Sequence, residues 1–246
     1  MIIRVYASEM QDDRKPGPTP RRGRPRSFDL DAATASALSA FWTRGYEATT
    51  VEDLVRATGL APSSLYAAFG SKHGVLEAAL ARYDRDREDL LAPLERGEAG
   101  LEDLRLFFAS VRADLTEAGA PGCFMVNTAT EVAPRDKRIA AHANRHRERV
   151  RDGIAAALTR AAALGELAPA GAEETLGRAR VVQAALFGVQ VAARAGATGE
   201  ALATLGALES QVGLWAQPAE APEGEGRRGT ARRKAAAKGG AEAPGA

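Results

Sequence analysis

The sequence predicts an all-α protein, with an N-terminal three-helix helix-turn-helix unit followed by a larger helical domain. Three observations carry this. Apolar residues recur at three- and four-residue spacing from about Asp29 to Trp215, the period of an amphipathic helix. No stretch alternates apolar and polar residues over a length useful for a strand. Glycines and prolines fall between the periodic segments, where they stop one helix or start the next. In TTVEDLVRATGLAPSSLYAAFGSK, residues 49–72, two short helical patterns flank a single glycine, which is the helix-turn-helix layout.

The chain opens with a basic arm, residues 1–26. From Arg14 it reads RKPGPTPRRGRPR, with six basic residues, four prolines and no acid. Such a segment has no apolar period and is expected to be disordered when free. A basic arm beside a helix-turn-helix runs along phosphates or enters a minor groove. Arg22, Arg24 and Arg26 are therefore candidate DNA contacts, against the plainer reading of a solvated tail.

Residues 27–73 form the head. Ala33, Ala37, Ala40 and Phe41 share one face of a first helix over 29–44, which Gly45 ends, and Tyr46 is placed to pack beneath the next helix. Thr50 caps the second helix with Asp53 reaching back to it. Leu54, Val55 and Thr58 form its apolar face, and Gly59 supplies a left-handed stop. Pro62 suits the first position of a third helix, because its missing N–H was unpaired anyway. Leu65, Ala68 and Phe69 turn inward there, which leaves Ser63, Ser64, Tyr66 and Ala67 outside.

Residues 74–216 read as helix after helix. Ser71 caps the first, whose stripe is Val75, Leu76, Ala79, Leu80 and Tyr83, and which reaches Leu91 before Pro93 stops it. Leu101, Leu104, Phe107, Phe108, Val111 and Leu115 form the next stripe. A short segment over 122–132, a long one over 136–164, and two more over 172–195 and 199–215 follow. The penultimate helix, RVVQAALFGVQVAARAGA, is apolar nearly all round and needs burial on two sides. Residues 217–246 are Ala, Gly, Pro, Lys, Arg and Glu in composition and are expected to be a disordered tail.

The segments RGRPRSFD, FWTRGYEATTVEDL, GLAPSSLYAAFGSK and VLEAAL, in that order between Arg22 and Leu80, resemble the DNA-binding domain of the tetracycline-repressor (TetR) family of bacterial transcription regulators, in the branch with an LYAAFGSK recognition helix. The resemblance implies that Thr50 at the start of helix 2, and Tyr66 and Lys72, hold DNA phosphates, while Ser63 and Ser64 face base edges, and Thr49 beside them is a further candidate DNA contact. Ala67 and Ala68 stand where larger side chains are common, so the reading helix has no bidentate base reader. DNA shape or the arm arginines then carry much of the discrimination. The resemblance also implies a homodimer in which the last two helices pair with their equivalents as a four-helix bundle. It further implies a palindromic double-stranded operator and release by a small-molecule effector.

For the effector pocket the expected lining is Leu104, Phe107, Phe108, Phe124 and Phe187, with Cys123, Asn127 and Glu131 nearby, which favours a small, largely apolar ligand. Asn127 and Glu131, four apart on one helical face, either line the pocket or satisfy buried backbone. Cys123 sits in the first turn of a helix, where the dipole lowers a thiol's pKa. It is read as a small packing residue, with a redox or electrophile sensor as the alternative. His142 and His146 have a metal-binding spacing, but Ala143 stands where a metalloprotease would carry Glu. The surrounding arginines would repel a cation, so the pair is read as a solvated basic face and no metal or cofactor is expected.

Composition sets the limits. The 246-residue chain has a formal net charge of +1, so DNA binding must rest on local patches. One cysteine excludes an internal disulfide and fits a reducing cytoplasm. No apolar run is long enough to span a bilayer. MIIRVYASEM is too short and weakly charged for a signal peptide, and Met10 offers a second start. An all-helical enzyme or ligand carrier would need a nucleophile with its base, a metal set or a phosphate loop, none of which is present. An architectural protein using its two basic tails would bind DNA without sequence preference. The reading is a dimeric repressor, not an enzyme, that exchanges between two spacings of its reading heads.

Overall fold

A computed structural model describes residues 29–117 and 121–216. Among them are ten helices and no strand, only one isolated bridge between Leu167 and Ala216. The head is α1 (Leu30–Arg44), α2 (Val51–Thr58), α3 (Pro62–Phe69) and α4 (Lys72–Asp86). The rest is α5 (Glu88–Arg96), α6 (Leu101–Thr116), α7 (Phe124–Glu131), α8 (Lys137–Ala163), α9 (Ala172–Arg194) and α10 (Thr198–Gly213).

Two apolar cores organise these helices. The first joins Ala37, Phe41, Leu54 and Leu65 to Val75, Leu76, Ala79, Leu80 and Tyr83 of α4, and it takes Phe124 and Met125 from α7 and Ile139 from α8. It therefore continues past residue 73. The second core holds Leu91 and Leu94 with Leu104, Phe107, Ile154, Leu158, Val182, Val189 and Leu205.

The helix expected to run to Leu91 and stop at Pro93 is instead two helices that meet at Arg87, with Pro93 inside α5. The ring removes one amide donor, the one that would have gone to the carbonyl of Asp89, an exposed residue. Arg160 of α8 then supports this short helix. Its guanidinium donates to the carbonyls of Pro93 and Leu94, each at 3.0 Å, and pairs at 2.8 Å with the buried carboxylate of Asp103.

Candidate nucleic-acid interface and pocket

The start of α2 is fixed by a reciprocal cap. The Thr50 hydroxyl accepts from the Asp53 N–H at 3.1 Å, and the Asp53 carboxylate accepts from the Thr50 N–H at 3.0 Å. The backbone bond from Thr50, followed by its hydroxyl and by Arg44, holds the Asp53 carboxyl down at about 2. Thr50 is exposed, and its hydroxyl also donates to the Asp53 carboxylate at 2.8 Å. Thr49 is fully buried and its hydroxyl donates to the Gly45 carbonyl at 2.6 Å. The expected DNA contact at Thr49 is replaced by a role inside the turn.

In α3, Leu65 is buried while Ser63, Tyr66 and Ala67 are exposed and Ser64 is half-buried, so one face points away from the core. The turn into α4 is tight. A Cβ at position 74 would lie 1.9 Å from the Phe69 carbonyl oxygen, so only glycine fits. Ser71 caps α4 by accepting from the Gly74 N–H at 3.1 Å. Lys72 lies with its Nζ 4.2 Å from the centroid of the Tyr46 ring, a cation–π contact. Arg22, Arg24 and Arg26, and the arm and tail to which disorder was assigned, lie outside the described residues.

A cavity of about 100 Å³ lies between the head and the second core. Phe107, Cys123 and Phe187 line it, together with Trp42, Tyr83, Arg87, Val126 and His146, which the sequence had not placed in a pocket. The five other candidate lining residues are elsewhere. Leu104 and Phe108 face an open groove between α6 and α10, because they lie on a different side of α6 from Phe107 and Val111. Phe124 is buried in the first core, with its ring centroid 5.7 Å from that of Tyr83. Asn127 donates to the Pro121 carbonyl at 2.8 Å. Glu131 likewise serves backbone, the second of the two roles its position offered: its carboxylate accepts from the Tyr46 and Glu47 N–H groups at 3.0 and 2.9 Å.

The reading of His142 and His146 as a solvated face fails for His146, which is buried with its Nδ1 at 3.0 Å from Asp84. Burial opposes its protonation, but Asp84 and Cys123 outweigh that and raise it to about 9. Burial likewise opposes a Cys123 thiolate, yet the hydrogen bond and charge of His146, then the Tyr83 hydroxyl at 3.2 Å, bring the thiol below its ordinary value. Cys123 and His146 thus share the cavity wall, with the Asp84 carboxylate behind the imidazole. Arg87 adds a second cation, with its guanidinium 5.3 Å from the Tyr83 ring centroid. No cluster of three metal-ligating side chains occurs among the described residues, and no helix there is long and apolar enough to cross a membrane.

Comparison with known proteins places this geometry. Residues 33–79 match the sequence model of the bacterial regulatory proteins of the tetR family, and residues 100–204 match a tetracyclin repressor-like C-terminal domain. The chain is 44% identical over 116 residues to the HTH-type transcriptional repressor ComR of Escherichia coli K12, a match covering 46% of this chain and 55% of ComR. It is 32% identical over 149 residues to the HTH-type transcriptional regulator YezE of Bacillus subtilis 168, covering 59% of this chain and 76% of YezE. Its fold matches that of a cysteine-substituted TetR family regulator CifR complexed with 26-base-pair operator DNA. That match has a TM-score of 0.67 and 29% identity, covering 76% of this chain and 98% of CifR. With head and C-terminal domain both matched, and relatives that are transcriptional regulators and not enzymes, the chain belongs to the tetR family of bacterial regulatory proteins.

Proposed function

We propose that this protein is a transcriptional repressor that binds a palindromic operator as a homodimer in the bacterial cytoplasm and leaves it when a small effector fills the cavity. The carrying observation is the outward face of Ser63, Tyr66 and Ala67 on a rigidly capped head, in a chain whose relative CifR was solved on operator DNA. Thr50, Tyr66 and Lys72 hold phosphates, Ser63 and Ser64 meet base edges, and Arg22, Arg24 and Arg26 extend the contact. The reading helix is of the LYAAFGSK branch.

Two features support the dimer. Val181 and Val191 of α9 are more than half exposed, an apolar cost that a partner helix removes. A Cβ at Gly188 or Gly206 would meet nothing within 4 Å, so both helices keep an open, smooth face. Two heads on one two-fold axis then fit a two-fold operator. Size-exclusion chromatography with light scattering, followed by titration of DNA from upstream of the gene, tests this; a monomer that binds no DNA would refute it.

A second reading of the effector is favoured by Cys123. The thiol lies on the cavity wall with His146 and Asp84 behind it, so the pocket is built to react as well as to bind. An electrophilic alkene would take the thiolate at one carbon, forming C–S as the C=C π bond breaks, and the imidazolium would protonate the other carbon. The test is operator binding before and after N-ethylmaleimide, in the wild type and in Cys123→Ser. Release in the wild type alone supports covalent sensing; release in neither leaves reversible binding of a small, largely apolar ligand.

A further inference from the structure

We propose that Glu131 is the positioning residue for the reading head, and that α7 conveys the state of the cavity to it. This rests on the reading above only in taking the cavity as the effector's place.

The corner between α1 and α2 sets where α2, and behind it α3, stands. Its peptide N–H groups at Tyr46 and Glu47 have no helical partner, and both donate to one carboxylate, Glu131, from more than eighty residues along the chain. Two bonds to a single ionised group fix the corner's orientation as well as its distance. The corner is shaped to receive it. Gly45 has φ +89°, and a Cβ there would lie 3.0 Å from both carboxylate oxygens, so the approach needs the glycine.

Glu131 ends α7, and the N-cap of α7 is Cys123. An eight-residue helix is about 12 Å long, so this strut has the cavity wall at one end and the corner at the other. It is held by Phe124 and Met125, buried in the first core, and by the buried Val126 on the cavity wall. The strut cannot bend cheaply along so short a length. A group that swells the cavity at Cys123 therefore shifts or turns α7 as a unit, and the carboxylate loses its alignment with the two amides.

Amide exchange reads the corner without DNA. In the wild type the Tyr46 and Glu47 amides are expected to exchange slowly, and modification of Cys123, the sole cysteine, with N-ethylmaleimide is expected to speed them about tenfold. Should the thiol resist the reagent, Cys123→Phe supplies the bulk. In Glu131→Gln, which keeps the size but only one acceptor oxygen, exchange is already fast at one amide and modification adds little. Glu131→Ala should free both. Slow exchange in both variants would show that Glu131 does not hold the corner. An equal response to modification in wild type and Glu131→Gln would route the signal elsewhere, and no response in the wild type would show that α7 carries none. Each overturns the proposal. Operator binding is measured in parallel, and its absence would sink the repressor reading while leaving the exchange result standing.

Discussion

The indole N–H of Trp42 donates to the carbonyl of Gly122 over 2.8 Å, so the last turn of α1 is bonded to the residue that precedes the lone cysteine. The same turn is tied a second time, because Arg194 at the end of α9 donates to the carbonyls of Trp42 and Thr43 at 2.7 and 3.1 Å. These carbonyls are among the unpaired groups that every helix C-terminus leaves. Satisfying them from α9 joins the head to the helix with the exposed apolar face.

Trp42→Phe should keep the edge-to-face contact with Tyr83 but lose the bond to Gly122. A stability loss of about 1 kcal/mol is expected, together with a weaker response of operator binding to modification of Cys123. Chemical denaturation and anisotropy titration check the two effects separately.

Tyr66→Phe should weaken DNA binding by roughly 1 kcal/mol on every sequence, because a phosphate contact carries no sequence information. Ser64→Ala should instead change preference at one base position. Binding-site selection with both variants checks this, and a Tyr66→Phe loss confined to one operator variant would remove Tyr66 from the phosphate contacts.

Asp103→Ala should cost about 3 kcal/mol, since it leaves the Arg160 guanidinium without its buried partner. The carboxylate also accepts from the Ala99 N–H at 3.1 Å, so the loop before α6 loosens as well. Urea denaturation measures the loss, and the effect on operator affinity of the folded fraction should be small.

The pH dependence of Cys123 follows from two opposite shifts. Its folded pKa lies below the ordinary 9.0, so the thiolate persists as pH falls through a range where a free thiol is already protonated. His146 keeps its proton up to about 9, so the stabilising cation is present throughout that range. Alkylation of the folded protein should therefore persist to lower pH than that of the urea-unfolded chain, which slows about tenfold per pH unit once below its free thiol pKa. His146→Phe should restore the steep dependence. Mass spectrometry of timed N-ethylmaleimide reactions reads both.

What the sequence made legible was local. The cap of Thr50 and Asp53, the stops at Gly45 and Gly59 and the outward Ser63, Tyr66 and Ala67 on α3 each depend on residues a few positions apart, and all are seen. What it hid depends on how helices cross. His146 meets Asp84 across 62 residues, and the sequence offered only its neighbouring arginines as context. The split between Phe107 and Phe108 is a question of helix rotation, since adjacent residues on α6 face different spaces. Thr49 and Thr50 carry the same side chain, and only the turn's hydrogen bonds send one inward.

The most direct test of the account is an anisotropy titration of labelled DNA from immediately upstream of the gene, in excess unrelated competitor, with stoichiometry read at saturation. The account predicts saturable binding in multiples of two protomers per site, abolished by Ser63→Ala, Ser64→Ala and Tyr66→Ala together in a variant that still folds and dimerises. Equal affinity for the unrelated DNA, or binding that survives the triple substitution, would contradict it.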